Sequence, residues 1–383
     1  MRIALFSDSF LPVIDGVGRV VVQYANSLAK RGHEVYVICP QTNTGFRGGL
    51  PYELVDYVGT AIPSVSQYRA GVPLLDANFR NREQMLTFDI IHAHSPGSTG
   101  LEAVRQAARR NVPLVGTFHS KYYDDIKKVT RSEALASLGA LYVAQFYRNC
   151  TEVWTVSLNA AATLRDYGYN GTLRLMPNGT DLVDIDPADE AAAVREFSLP
   201  DAPTLLYTGQ LNFKKNLRRV FESCAALSAD SIEYTLVLAG QGPDEKALRK
   251  LADTLGIAGN VVFTGHVSDA RLLHGLYRHA RLFVFPSLYD TSGLVVREAA
   301  VMETPSVVVQ DTAPAEVVTD GVNGFVCEDT TEALTDVLRR ALSQPERTRA
   351  MGIEARRTIP LPWDTVIDRA VVQYRALIDE RKM

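Results

Sequence analysis

The chain has 383 residues and a formal net charge of −4, with 46% hydrophobic and 22% charged residues and a pI near 6.0. At roughly 100 to 200 residues per domain this length predicts two or three domains, and the mildly acidic composition of an ordinary globular protein argues against nucleic acid as the main partner. No apolar run approaches the roughly 18 to 20 residues of a membrane span and no signal-peptide core is present, so we expect a cytoplasmic protein.

The first half of the chain alternates between apolar strands and helices. Strands are predicted at residues 2–7, 34–39, 90–93, 114–117 and 152–157, and helices at 17–30, 100–110 and 132–148. Apolar strands linked by helices are typical of a parallel sheet covered on both faces. We therefore expect an α/β domain over residues 1–180.

The same alternation resumes after an acidic, proline-containing segment. This segment predicts a linker at 181–203, and the following pattern predicts a second Rossmann-like half over 204–362. Its strands are predicted at residues 204–208, 234–239, 261–264, 282–286 and 306–309, with helices at 217–228 and 245–255. Residues 363–383 predict an amphipathic helix, and in enzymes built from two such halves a helix of this kind often packs back on the first half.

Charge is divided unevenly between these halves. Residues 1–180 contain 18 Lys and Arg against 14 Asp and Glu, a net of +4, and the rest of the chain carries a net of −8. A positive first half favours contact with something anionic, such as acidic lipid or a phosphorylated acceptor. The four cysteines are scattered and predict neither a zinc site nor a redox motif.

In the first half, two positions after predicted strands are candidates for chemistry, because ligands of doubly wound sheets bind beyond the carboxyl ends of the strands. Gly16 stands directly before a helix, where a backbone amide can approach a phosphate. NAD is not the expected ligand, because a third glycine and a ribose-binding acid are both missing. His119 also follows a strand, although a lone histidine there is more often structural than catalytic.

In the second half, the loops suit a phosphorylated sugar. The segment from Gly209 to Asn216 places two lysines near a helix start, where an anion is stabilised. Tight glycine turns follow two further strands, and the need for a turn is enough to explain the glycines of each one taken separately. The loop after residues 282–286 contains Asp290, Thr291, Ser292, Gly293 and Leu294 and leads into a helix with Glu298. Free amides there suit a diphosphate, and the two carboxylates suit hexose and ribose hydroxyls.

Taken together, these motifs resemble family 4 glycosyltransferases over nearly the whole chain. The matching segments are residues 15–17, 31–35, 117–119, 177–181, 240–243, 286–287 and 320–324 and the acid pair Asp290 and Glu298. The resemblance implies the GT-B fold, two Rossmann-like domains facing an interdomain cleft, and a retaining transfer from a nucleotide-diphosphate sugar. The donor would be held mainly by the second half and the acceptor by the first.

The resemblance also implies roles for single residues. His119 would contact the transferred sugar, Lys215 would neutralise the leaving diphosphate and Asp290 would hold hexose hydroxyls, which makes these three the catalytic candidates. The donor-binding residues would be Gly16, Gln210, Lys215, Val267, Asp290, Thr291, Ser292, Gly293, Leu294 and Glu298. No metal and no cofactor is expected, because lysine and helix dipoles would stabilise the charge.

Two positions depart from the family pattern. Most members have arginine where this chain has Gln210, which replaces a charged clamp by a neutral amide. The first acid of the pair is usually glutamate, and Asp290 is one methylene shorter. We expect weaker diphosphate binding unless Lys214 of the same loop compensates, and either a shifted hexose or a water that fills the gap beside Asp290.

The donor and acceptor are inferred from the closest-looking members. Residues 68–73 and 117–125 look like bacterial enzymes that glucosylate diacylglycerol, which implies UDP-glucose as donor and a membrane lipid as acceptor. Apolar residues of helix 132–148 (Leu135, Leu138, Leu141 and Phe146) would then contact the inner face of the cell membrane peripherally, although such spacing is more often core. The alternatives are a saccharide or polysaccharide-precursor acceptor, an inactive nucleotide-sugar-binding subunit, or a GT-B enzyme such as an epimerase.

Overall fold

A computed structural model describes residues 1–12, 15–41, 44, 48–62 and 65–382, without the side chains of residues 65–68. The chain forms two compact units. One consists of Met1–Gly179 with Trp363–Met383, and the other of Thr180–Pro362. No helix in the described ranges has both the length and the apolar character needed to cross a bilayer.

The first unit is built on a seven-stranded parallel sheet. Numbered along the whole chain, its strands are β1 (Arg2–Phe6), β2 (Glu34–Cys39), β3 (Glu53–Asp56), β6 (Ile90–Ala93), β7 (Leu114–Phe118), β8 (Glu152–Thr155) and β9 (Leu173–Leu175), beside an antiparallel ribbon of β4 (Thr60–Ile62) and β5 (Val65–Ala70). Its helices are α1 (Gly16–Lys30), α2 (Ala77–Met85), α3 (Ser98–Arg110), α4 (Tyr122–Thr130), α5 (Glu133–Tyr147), α6 (Leu158–Asp166) and α14 (Trp363–Lys382). The strand order β3-β2-β1-β6-β7-β8-β9 reverses direction between β1 and β6.

Local sequence explains the elements around this reversal. Apart from Arg2 and His92, strands β1 and β6 are apolar, and both strands are buried almost throughout, as central parallel strands must be when helices cover both faces of their sheet. Asp15 caps α1 by accepting a hydrogen bond from the Gly18 amide at 2.7 Å. The apolar face of α1 recurs at helical spacing through Val21, Tyr24 and Leu28.

The second unit contains a six-stranded parallel sheet. Its strands are β10 (Thr204–Thr208), β11 (Thr235–Ala239), β12 (Val261–Gly265), β13 (Leu282–Phe285), β14 (Ser306–Val309) and β15 (Gly324–Cys327). Its helices are α7 (Pro187–Glu196), α8 (Leu217–Ala229), α9 (Glu245–Thr254), α10 (Ala270–His279), α11 (Leu294–Val301), α12 (Thr331–Ser343) and α13 (Pro345–Thr358). The order β12-β11-β10-β13-β14-β15 reverses between β10 and β13, as in doubly wound folds.

The segment predicted as a linker at 181–203 is structured and belongs to the second unit. Residues 187–196 form α7, which Asp186 caps, and α7 packs closely on α10. A Cβ at Gly275 would lie 2.1 Å from the carbonyl oxygen of Asp189, and Arg271 pairs with the carboxylate of Asp189 at 2.8 Å. Asp186 is thus a helix cap and Asp189 an ion-pair partner, and the chain passes between units at 179–180 and 362–363.

The C-terminal helix α14 lies in the first unit, where it packs on α1. Arg31, just beyond α1, pairs with Asp364 and Asp368, each at 2.9 Å. The rings of Tyr374 and Trp154 stack with centroids 5.4 Å apart. Residue 383, which the sequence analysis included in this helix, lies outside the described residues.

Candidate active site

The carboxyl ends of β10 and β13 carry the main candidate residues of the second unit. The strand order reverses between these two neighbouring strands, so the loops that follow them lead to helices on opposite faces of the sheet. Such a switch point leaves a crevice in which ligands of doubly wound sheets bind. The loop after β10 carries Gln210 and Lys215, and the loop after β13 carries Asp290.

Lys215 and Asp290 meet at this crevice as an ion pair. The Lys215 Nζ donates to both carboxylate oxygens of Asp290, at 2.8 and 2.9 Å. The two side chains are only 14% and 23% exposed. Both lysines of the loop also lie over the ring of Tyr289, with the Nζ of Lys214 at 4.4 Å and that of Lys215 at 5.4 Å from its centroid. Positive charge for a phosphate and a carboxylate for hydroxyls are thus side by side.

Helix α11 begins directly after this loop. Gly293 precedes it with a φ of 59°, and a Cβ at that position would lie 3.0 Å from Pro314. Glycine is therefore favoured at this position, both for its left-handed backbone and for its close contact. The first turn of α11 includes Leu294, so the amides of the predicted segment 291–294 lie at a helix N-terminus, which attracts anions.

Glu298 of α11 is held by a tyrosine that the sequence analysis did not single out. The hydroxyl of Tyr277, on α10, donates to Glu298 Oε2 at 3.2 Å. The same hydroxyl lies 2.5 Å from the Thr208 hydroxyl, which must then donate to it. Nothing in the local sequence marks Tyr277, because its apolar neighbours predict only a core position.

The loops after β10, β11 and β12 pack against one another through glycines. The Gly240 amide donates to the carbonyl of Gly265 at 2.8 Å. A Cβ at Gly240 would lie 1.9 Å from the carbonyl oxygen of Gly209, so no larger residue fits. Val267, the predicted contact for the nucleotide base, follows this turn and is partly buried against the core.

Gln210 is exposed, and its side chain is held within its own loop. Its Oε1 accepts a hydrogen bond from the amide nitrogen of Asn212 at 2.6 Å. The hydroxyl of Tyr207 donates to its backbone carbonyl at 3.0 Å. The position expected to carry an arginine clamp therefore presents a neutral amide.

In the first unit, Gly16 is the first residue of α1 and is exposed. A Cβ built there would meet nothing within 4 Å among the described residues. Its amide belongs to the first turn, where backbone N–H groups have no acceptor within the helix. Gly16 is thus placed as an anion-binding amide requires, with its carboxylate neighbour Asp15 occupied in capping Gly18.

His119 follows β7 and is 6% exposed. Its Nε2 lies 3.0 Å from Nδ1 of His94, and the two rings stack with centroids 5.3 Å apart. Burial lowers the pKa of His119 to about 3, so its ring is neutral at neutral pH. Neither His94 nor its neighbour His92 was predicted from sequence, although their spacing of two residues at a strand end could have revealed them.

A carboxylate lies at the switch point of the first sheet as well. Asp8, after β1, accepts hydrogen bonds from the Thr99 amide at 3.0 Å and the Ser98 hydroxyl at 3.1 Å. Burial raises the pKa of this carboxyl group. Asp8 was not predicted from sequence, because an acid two residues beyond a strand has no distinctive motif.

The apolar residues expected to touch a membrane are divided by the structure. Leu135, Leu138 and Leu141 on α5 are 50%, 62% and 58% exposed, whereas Phe146 is buried in the core. The prediction of a membrane contact is therefore wrong for Phe146. Of the segment 68–73, the side chain of Tyr68 lies outside the described residues.

In the described part of the chain, no group of three or more His, Cys, Asp or Glu side chains could hold a metal ion.

Comparison with known proteins identifies the family. Residues 14–184 match the family described as Glycosyltransferase Family 4, and residues 190–358 match Glycosyl transferases group 1. The alpha-monoglucosyldiacylglycerol synthase of Streptococcus pneumoniae is 26% identical over 320 residues, covering 80% of this chain and 70% of that protein. A GDP-mannose-dependent alpha-mannosyltransferase of Corynebacterium glutamicum is 26% identical over 338 residues, covering 86% and 77%.

A solved sucrose-phosphate synthase from Thermosynechococcus elongatus shares the fold, with a TM-score of 0.82, 21% identity and 99% coverage of both chains. The two family matches leave only residues 185–189 uncovered between positions 14 and 358. With its two doubly wound parallel sheets, the chain is a hexosyltransferase with the GT-B fold and belongs to the family 4 glycosyltransferases.

Proposed function

We propose that the protein transfers glucose from UDP-glucose to a hydroxyl group of a membrane lipid such as diacylglycerol, with retention of the anomeric configuration and without a metal ion. The observation that carries this proposal is the Lys215–Asp290 pair at the β10/β13 switch point. It offers a cation for a diphosphate beside a carboxylate for sugar hydroxyls. The synthase of Streptococcus pneumoniae, by its name, glucosylates a diacylglycerol lipid, which supports the donor sugar and acceptor.

On the donor side, each contact follows from chemistry already described. Lys215 and the amides at the start of α11 bind the diphosphate, assisted by the amide of Gly16 and the side chain of Gln210. Asp290 accepts from hexose hydroxyls, Glu298 from the ribose hydroxyls, and the backbone of Val267 meets the base. Because Lys215 and the helix dipole supply fixed positive charge, the leaving diphosphate needs no metal.

In the reaction, the bond between the anomeric carbon and the diphosphate oxygen breaks as the acceptor oxygen attacks from the same face. The acceptor hydroxyl proton passes to the departing diphosphate. His119, neutral because burial lowers its pKa to about 3, contacts the transferred sugar without repelling the positive charge that develops on it. UDP-glucose carries an α-linked sugar, so retention yields an α-glucoside, in keeping with the alpha in the names of both relatives.

For the acceptor side, we propose that α5 and the neighbouring end of α4 rest on an anionic bilayer. Three leucines of α5 are at least half exposed, and Val129 of α4 is 49% exposed. Lys128 and Arg131 nearby are exposed cations. Together with the net charge of +4 on residues 1–180, these residues form a surface with both the apolar and the electrostatic features of peripheral membrane contact.

The central experiment is a donor and acceptor screen on the purified protein in the presence of EDTA. UDP-glucose, UDP-galactose, UDP-N-acetylglucosamine and GDP-mannose are each offered with diacylglycerol vesicles or with saccharide acceptors, and the product linkage is determined by NMR. An α-glucosyl lipid formed in EDTA is the expected result. A mannosyl product would correct the donor, a saccharide product would correct the acceptor, and no turnover with any pair would favour an inactive nucleotide-sugar-binding subunit.

Membrane contact is tested separately by sedimentation with vesicles containing anionic lipid. Replacing Leu138 and Leu141 by Gln removes apolar surface without adding charge, and we expect the partition coefficient to fall by about 10-fold. Leu182→Gln, at a position 59% exposed in the second unit, is the matched control and leaves binding unchanged. Equal binding by all three proteins would contradict the assignment of α5 as the membrane surface.

A further inference from the structure

Three histidines form a buried row in the first unit. His92 and His94 project from the β6 strand end, with ring centroids 4.0 Å apart, and His94 in turn stacks on His119. Tyr24 of α1 packs edge-on against both His92 and His94, at 5.5 and 5.4 Å. The His94 ring is therefore enclosed by Tyr24, His92 and His119, which fixes its orientation.

The row is joined by one hydrogen bond between imidazoles. Nδ1 of His94 and Nε2 of His119 are 3.0 Å apart. Burial is the main cause that lowers the pKa of both rings, so both are neutral near pH 7. A neutral imidazole carries one hydrogen, so either His94 or His119 donates in this bond, and that choice sets the tautomer of both rings.

The surroundings of His94 favour one of the two arrangements. Its Nε2 is buried and has no hydrogen-bond partner among the described residues. If His119 donated, this Nε2 would have to carry a hydrogen, leaving a buried N–H group without an acceptor. If His94 donates from Nδ1, its Nε2 has only an unused lone pair. A buried acceptor without a donor is a commoner defect in proteins than a buried N–H group without an acceptor.

His92 does not compete for the bond. Its Nδ1 lies 2.6 Å from the Tyr374 hydroxyl and its Nε2 lies 2.7 Å from the Thr117 hydroxyl, so both of its ring nitrogens already have partners. Thr117 also belongs to β7, two residues before His119. His92 thus ties β6 to β7 at the level where His94 meets His119.

We propose that His94 is a positioning residue for His119: it donates from Nδ1 to Nε2 of His119 and so fixes His119 as the tautomer protonated at Nδ1. This assignment rests on the proposed function, in which His119 contacts the transferred sugar. It makes the Nδ1–H group of the neutral His119 ring a hydrogen-bond donor to that sugar. A neutral donor to a sugar hydroxyl oxygen holds the sugar in position without adding a full positive charge beside the reacting carbon.

The tautomer can be read without substrate. In protein labelled with ¹⁵N at histidine, long-range ¹H–¹⁵N correlation spectra distinguish protonated from bare ring nitrogens, and the signals of His119 are assigned by their loss in His119→Asn. We expect Nδ1 of His119 to be protonated and Nε2 to be bare. A His119 protonated at Nε2 overturns the proposal, whether or not the protein transfers glucose.

The effect on catalysis is tested with two substitutions at one position. His94→Leu removes the donor, and we expect kcat to fall on the order of 10- to 100-fold with little change in the donor KM. The amide nitrogen of Asn can occupy the place of Nδ1, so His94→Asn should recover most of kcat and keep the wild-type tautomer of His119. His33→Leu, in the same unit, is the control and retains activity.

The outcomes separate the proposals. If His94→Asn and His94→Leu lose activity equally, or if the His119 tautomer is the same in both variants, His94 does not act through its donated hydrogen bond. If no donor is turned over but the spectra show the expected tautomers, the proposed function fails while the hydrogen-bond assignment holds.

Discussion

Replacing Lys215 by Met removes the ammonium group that contacts both carboxylate oxygens of Asp290, while keeping an unbranched side chain of similar length. At an effective dielectric constant of about 20, two unit charges 2.8 Å apart attract by about 6 kcal/mol. Desolvation offsets most of this attraction, because both side chains are largely buried. We therefore expect the free energy of unfolding to fall by only about 1 to 3 kcal/mol.

The effect on catalysis should be larger than the effect on stability. In the proposed reaction Lys215 faces a diphosphate whose negative charge grows as the sugar leaves, and the loss of one such fixed donor costs about 10²- to 10³-fold in kcat. The assay is initial-rate kinetics with the donor identified by the screen, together with urea unfolding of the same protein. Both are compared with the wild type at one pH and ionic strength.

Lys214→Met is the matched control. This neighbouring lysine lies over the same Tyr289 ring, 4.4 Å from its centroid, and we expect its replacement to reduce kcat by less than about 10-fold. If Lys215→Met keeps kcat/KM within about 3-fold of the wild type while Lys214→Met loses it, the reasoning is refuted. The phosphate cation would then be Lys214, and the Lys215–Asp290 pair would be structural.

Three further predictions address the donor loop, the glycine packing and the buried histidines. Gln210→Arg should tighten UDP binding by about 5- to 30-fold in calorimetry, because a charged donor replaces a neutral one, and unchanged affinity would mean that another group already supplies the charge. Gly240→Ala should lower the free energy of unfolding by about 2 to 4 kcal/mol, because its Cβ would overlap a backbone carbonyl. Gly259→Ala is the control, because its Cβ meets nothing within 4 Å, and it should change the free energy of unfolding by less than about 1 kcal/mol. Equal losses in the two variants would exclude the clash as the cause. Burial lowers the pKa of His119 from its ordinary value of 6.5 to about 3 in the folded protein. Between pH 6.5 and pH 3, therefore, His119 takes up a proton in the unfolded state but not in the folded state. The stability of the folded protein falls as the pH decreases through this range. From pH 7 to 5 this histidine should cost about 2 kcal/mol in urea unfolding, a loss that His119→Asn should remove if the pKa is as low as its burial requires.

The separate parts of the donor site could be predicted because each is a local pattern. Glycine after a strand and free amides at a helix start act over a few neighbouring residues, so the sequence predicts that Gly293 and its loop precede a helix, as the structure shows. The pairing of Lys215 with Asp290 joins positions 75 residues apart, and it follows only from the neighbouring positions of β10 and β13 in the sheet. Tyr277 was missed for the same reason, since its contact with Glu298 exists only where α10 and α11 pack together.

By itself, the sequence determined the repeated strand and helix alternation, because a buried parallel strand and an amphipathic helix each have their own hydrophobic period. It also determined the family, through motifs in a fixed order. Only the tertiary structure decided that 187–196 forms a helix of the second unit. It likewise decided that Phe146 is core while three leucines of the same helix are exposed. Periodicity marks which residues are apolar, but which of them are covered depends on the elements packed against them.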